Sequence, residues 1–443
     1  MQLILFDDHT WENLLPLTFT RPAAGLRVGI LTIAEKWQRV LGTDPSFLAT
    51  SYLAPKYPCV TGPDNLLVNG SLLPDEGIAG AIGALEMGEA LYGQGSLLAF
   101  RCGEEAALTM EPPAWSGSPA APAGGSPVAA PAGSSEGASG RRTGERTGSG
   151  IGSGIGARTG KWIVKRSEYT GTISLVDYPW KIFVLNGQEI EADFHRLTAG
   201  RTGERLSDTV RVIGPGKIFA EPGFRAEHIT LNTSGGPIYL GRDSEIMEGS
   251  CIRGPFALGE GTLVKLGARI YGPTTLGPHC RVGGEINNSV LLANSNKGHD
   301  GFLGNSVLGE WCNLGADTNN SNLKNNYGEV RIWNYRERKA VSTGRQFCGM
   351  IMGDHSKSGI NTMFNTGTVV GVSANIFGPG FPDTFIPSFS WGGATGMTTY
   401  RLDKALETAQ LVMERRETQL SAEDRAILEH IFRLTGVFRQ VSD

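Results

Sequence analysis

Of the seven histidines in the chain, His299 has the surroundings best suited to chemistry. It lies in NSNKGHDGFLGNSVLGEWCNLGAD, with Lys297 two residues before it and Asp300 directly after it. An imidazole titrates near neutral pH, so its neutral form accepts a proton as a general base. The alternative is a surface histidine in a turn rich in Gly and Asn. The six cysteines are scattered, with no C-x-x-C pair, which excludes a disulfide framework or a clustered zinc site.

A repeat in the second half supplies the scaffold for such a residue. Every sixth position from Leu240 is aliphatic: Leu240, Ile246, Ile252, Leu258, Val264, Ile270, Leu276 and Val282. A period of six fits neither a helix nor an alternating strand. It fits a parallel β-helix whose triangular coil turns one aliphatic residue inward per face. The phase breaks at Asn288, returns at Leu308 and Leu314, and runs again through Met352, Ser358, Phe364, Val370 and Ile376. His299 falls where the phase is broken, and loops on a rigid scaffold are where sites are built. Residues 319–347, with NNSNLKNN and YRERK, read as excursions from the coil.

The rest of the chain divides around this repeat. Segments LILF, LLVN, WIVK, TISLV and KIFVL predict strands of an α/β domain. Pro112 to Gly160, built from Pro, Ala, Gly and Ser, reads as a disordered insertion in that domain, the alternative being an interdomain linker. After Trp391, the stripe Leu402, Leu406, Ala409 and Met413 predicts one helix, and Ser421 with Asp424 marks the start of another. These helices are expected to pack against the coil or a neighbouring subunit, as a structural cap over the open end of the coil and not as part of a catalytic site. The boundaries are residues 1–225 for the first domain, 226–397 for the coil and 398–443 for the helical tail.

The 443 residues carry a net charge of −4 and are 40% hydrophobic. Glycine, at 62 residues, is about twice its usual share. This excludes a disordered chain and argues against nucleic acid as a partner. No segment has the roughly 18 apolar residues of a membrane span, and two aspartates interrupt the first apolar segment, so a cytoplasmic setting is expected.

Gly298-His299-Asp300-Gly301-Phe302-Leu303-Gly304-Asn305, followed by Asn313-Leu314-Gly315-Ala316-Asp317-Thr318, resembles the bifunctional N-acetylglucosamine-1-phosphate uridyltransferase/glucosamine-1-phosphate acetyltransferase family. There, G-H-x-x-[YF]-[LV]-G-[DN] precedes N-[IL]-G-A-x-T. Met352 to Gly371 is similar to the family's next coils. The resemblance implies a left-handed β-helix assembled as a homotrimer, with acetyl-CoA bound between coils. His299 would deprotonate the amine of an amino-sugar phosphate, with Asn313 in the same pocket and Arg269 on the phosphate. Asn326 and Tyr327, in N-N-Y-G, are carried over from the family's C-N-Y-D-G loop. Asn287 stands in place of a phosphate-binding lysine, and Phe302 in place of a tyrosine.

The first domain resembles divergent sugar nucleotidyltransferases through FDD-x-x-W-E-N-L-L-P-L-T-F-T-R-P, L-R-V-G-I and D-Y-P-W-K-I-F-V-L-N-G. The family's glycine-rich phosphate loop is absent, and Ser71 replaces its magnesium-binding aspartate. Under that resemblance Asp7 and Asp8 are the substitute ligands for Mg²⁺ with UTP, and Arg21, Arg27 and Lys36 the substitute phosphate contacts; otherwise they are solvated or structural charges. Two other readings stay open. One is a nucleotidyltransferase for another sugar phosphate, its β-helix used only for trimerisation or sensing. The other is a non-catalytic scaffold that binds sugar nucleotides.

Overall fold

The computed structural model describes residues 1–111, 113–115 and 161–439. Its first part is a six-stranded mixed sheet in the order β2-β1-β3-β5-β4-β6. The strands are β1 (Gln2–Phe6), β2 (Pro45–Leu48), β3 (Asn65–Asn69), β4 (Glu89–Gly93), β5 (Ser96–Cys102) and β6 (Lys165–Glu168). β1 runs parallel to both β2 and β3, and its LILF is buried on both faces, as a central strand requires. The helix Ile33–Leu41 starts at a capping box between Thr32 and Glu35 and stops at Gly42, whose φ of 67° is left-handed.

Three expected strands differ. KIFVL lies inside the helix Trp180–Thr198. An apolar run this short fits a strand or a buried helix equally well. The longer pattern decides, since the buried positions Phe183, Asn186, Ile190, Phe194 and Leu197 recur at helical spacing. WIVK contributes only Lys165 to a strand, and TISLV makes a single bridge from Leu175 to Leu72. The expected insertion at 112–160 lies outside the described residues except for 113–115, where Trp115 packs 6.2 Å from Trp11.

The second part is a left-handed parallel β-helix with three flat faces, sheets of six, nine and ten strands. Rungs begin at Arg211–Ile213, which pairs with Thr230–Asn232. All eight hexad residues from Leu240 to Val282 point inward and are at most 1% exposed. Past Val282 the rung shortens, and the inward positions become Ile286, Leu291, Lys297, Leu303, Leu308 and Leu314. Asn319–Asn320 remains part of the coil, paired with Met363–Phe364, so the excursion begins later than its polarity suggests. It carries a hairpin of Arg331–Asn334 with Lys339–Ser342.

The two parts share one core. The outward row Val290, Val307, Ile351 and Val369 is apolar and buried, packed in one cluster with Leu26, Val28 and Phe183 of the first domain. Asn186 joins the parts: its amide donates to the Pro273 carbonyl (3.0 Å) and its carbonyl accepts from Gly29 N–H (2.8 Å). The C-terminal helices, Leu402–Glu414 and Ala422–Leu434, lie along the side of the coil instead of over its end. Arg416 reaches the His279 carbonyl and Asn296, and Lys56 pairs with Asp424. The apolar stripe that suggested a cap is used against this same core.

Candidate active site

At one corner of the coil, backbone turns from four successive rungs form an open cleft of about 470 Å³. Gly283, Gly284, Gly298 and Ala316 make its floor, with Lys265, His299, Asp300 and Asp317 around it. The close packing needs glycine at 284: its φ is +72°, and a Cβ there would sit 2.7 Å from the His299 carbonyl oxygen. His299 is exposed, and among the described residues nothing hydrogen-bonds its imidazole. Such a ring is free to take a substrate proton.

Arg269 approaches this corner on the adjoining face. Its guanidinium lies 3.8 Å from Asp300 and 3.9 Å from Glu285. All three side chains are substantially exposed, so these ion pairs are weak and exchangeable for a ligand. Arg269, Glu285 and Phe302 stack in register on successive rungs, with Tyr271, Asn287 and Gly304 in the next column. The fold therefore gathers His299, Arg269 and Phe302 at one corner, while Asn287 lies at the far end of the same face, beside Gly272, Asn288 and Asn305.

Asn313 is not among them. It points out from a different face, where its Oδ1 accepts from Asn296 (3.2 Å), and it does not line the cleft. Two residues of extended strand separate an outward position from the corner it leads to, a distance motif spacing does not reveal. Asn326 and Tyr327 are at the tip of the excursion: Asn326 bonds Gly328 N–H, and Tyr327 is 66% exposed. Neither meets His299. The sequence placed Lys297 beside His299 without showing that it points into the coil.

In the first domain, Asp7 and Asp8 leave the C-terminal end of β1 beside Asn69 and Ser71 at the end of β3, the crevice where parallel sheets bind ligands. Both carboxylates are engaged. Asp7, 3% exposed, accepts from Ala23 N–H (2.9 Å), and burial pushes its carboxyl up to about 7. Asp8 caps the turn His9–Leu14 by accepting from Thr10 N–H and Oγ1, and its other oxygen accepts from Asn69 (3.0 Å). Among the described residues no group of three or more His, Cys, Asp or Glu side chains could hold a metal. Asp7 and Asp8, the two carboxylates expected to hold magnesium, therefore already have protein partners.

The expected phosphate contacts are also occupied. Arg21, 6% exposed, bonds Glu310 and Asp354 of the coil, and Thr20 donates to Asp354 (2.8 Å). Lys36 is fully buried between Asp193 (2.6 Å) and Glu189 (2.8 Å). Arg27 donates to the Ile30 and Leu292 carbonyls. These are structural contacts within the first domain or from it to the coil, and none leaves a cation free for a nucleotide.

Residues 3–202 match the family described as sugar nucleotidyl transferase. No curated protein matches the chain. Among solved structures, the polySia-specific acetyltransferase NeuO is similar over 48% of this chain and 100% of its own, at 13% identity and a TM-score of 0.28. The UDP-N-acetylglucosamine acyltransferase of Arabidopsis is similar over 53% of this chain and 94% of its own, at 14% identity and a TM-score of 0.21. The polysialic acid O-acetyltransferase OatWY is similar over 43% and 88%, at 12% and 0.21. Likeness this distant says nothing of what this chain acts on. Among the described residues, no helix is long and apolar enough to cross a membrane.

Proposed function

We propose that this protein is a transferase of sugar metabolism whose coil N-acetylates an amino-sugar 1-phosphate from acetyl-CoA. The observation that carries the reading is the free imidazole of His299 on an open cleft beside the loosely paired Arg269. Neutral His299 takes a proton from the sugar amine as its nitrogen attacks the thioester carbonyl carbon. The C–S bond then breaks, and coenzyme A leaves as the thiol. Arg269 exchanges its exposed carboxylates for the sugar phosphate, which its planar fork binds in bidentate fashion.

A homotrimer in the cytoplasm is part of this reading. Leu266 (66% exposed), Ile360 (71%) and Phe377 (40%) lie on the same corner column as His299, an apolar edge that supports packing against a second coil. The test is thiol release from acetyl-CoA with glucosamine-1-phosphate. Release by the wild type that falls at least about 100-fold in His299→Ala supports the reading. Equal release by both proteins contradicts it.

The match of residues 3–202 to sugar nucleotidyl transferases favours a second reading, transfer of a nucleotidyl group from UTP to the sugar phosphate. Pyrophosphate release from UTP and a sugar 1-phosphate tests it. Absence of release across the common sugar phosphates leaves the first domain as a binding and docking module.

A further inference from the structure

Lys297 occupies an inward position of the coil. Its rung pairs with that of Val282, and the same column holds the aliphatic Ile246 and Val264 below and Leu314 above, followed by the small, uncharged Ser358. Lys297 is 2% exposed, yet among the described residues no carboxylate pairs with it. A buried ammonium is costly unless its hydrogens are satisfied, and an aliphatic side chain would fill the column without that cost. What the lysine gains is at the corner. Its Nζ donates to the His299 carbonyl (2.6 Å) and to the Gly283 carbonyl of the neighbouring rung (3.1 Å). The turn closes tightly around it: a Cβ on Gly284 would come within 2.9 Å of Nζ.

We infer that Lys297 is a positioning residue, whose ammonium ties the backbone of His299 to the rung beside it and so holds the imidazole over the cleft. The inference rests on the proposed use of His299. The coil itself does not ask for a lysine here, and residues that break a local rule of the fold concentrate at functional sites. The corner also surrounds the ammonium with Asp300, Asp317, Arg269 and Lys265, while burial lowers its affinity for the proton to about 8. Hydrogen bonds to a charged donor are stronger than neutral ones, so the tie is firmest below that pH.

The test is Lys297→Met in the full-length protein, read by hydrogen exchange and by acetyl transfer together. Exchange at the amides of Gly298 to Phe302 is expected to quicken at least about tenfold, with Val264 and Ile270 unchanged, because the loss is local. The kcat of acetyl transfer should drop about 10- to 100-fold, with KM for acetyl-CoA within about twofold, as for loss of a supporting contact. Wild-type exchange at the corner in Lys297→Met, or an unchanged kcat beside quickened exchange, overturns the inference. Should Lys297→Met not fold, Lys297→Ile, the residue type of the column, takes its place in the same comparison. If no variant and no wild type transfers acetyl groups, the reading of His299 as a base falls, and the exchange data alone decide the role of Lys297.

Discussion

The corner at His299 and the crevice at Asp7 and Asp8 both hold residues of the type their chemistry asks for, yet they differ in what those residues are already bonded to. At the corner, the imidazole is unpartnered and Arg269 has only long, exposed ion pairs. In the first domain, Asp8 caps a turn, Asp7 is buried against Ala23, and Arg21 and Lys36 are sealed against four carboxylates. A charged group can serve a substrate only if giving up its present partner costs little. By that measure the first domain has used its charges to hold itself together and to dock on the coil.

The largest effect that tests this contrast is on rate. His299→Ala should lower the kcat of acetyl transfer by about 10² to 10⁴ while leaving the melting temperature unchanged, since an exposed imidazole carries little of the fold. Steady-state kinetics with thermal melts on the same samples check it. Arg21→Met should act the other way. It strands Glu310 and Asp354 at a buried interface and should cost about 3–5 kcal/mol in urea unfolding, with acetyl transfer per folded molecule retained.

A smaller effect depends on pH. The carboxyl of Asp7 binds its proton up to about pH 7 in the folded protein, whereas an unfolded aspartate gives it up near 3.8. Between those values the folded state holds the extra proton, so stability falls as pH rises through the window and the cost is complete above it. Asp7→Asn keeps a carbonyl for Ala23 N–H and removes that cost. Its stability over wild type should grow from nothing near pH 4 to about 1–3 kcal/mol at pH 8, by urea titration at each pH. Least of all, Asp8→Ala should lose the cap of His9–Leu14, about 1 kcal/mol, measured the same way. If Asp8→Ala instead abolished pyrophosphate release by an active wild type, the crevice would be a working site and the contrast would fail.

Local patterns in the sequence were the readable ones. The hexads recur every six residues and need no knowledge of distant partners, so the coil and its eight inward aliphatic positions follow from the sequence. His299 stands out because histidine is scarce and its loop interrupts the repeat. Partnerships across the chain were hidden. Arg21 meets Asp354 from 333 positions away, and Lys36 meets Asp193 from 157, so residue type alone left them looking like phosphate ligands. Lys297 was visible beside His299. Its inward place emerges only from the shortened rung, where the inward positions run Val282, Ile286, Leu291, Lys297. KIFVL was misleading because four consecutive apolar residues carry too little periodicity to separate strand from helix.

The central claim is that acyl chemistry belongs to the coil corner and not to the first domain. The most direct measurement is the mass of the N-acetylated sugar phosphate formed by His299→Ala and by Asp8→Ala in one assay with acetyl-CoA and glucosamine-1-phosphate. The account predicts product at the wild-type level from Asp8→Ala and almost none from His299→Ala. Product from His299→Ala with none from a folded Asp8→Ala would contradict it.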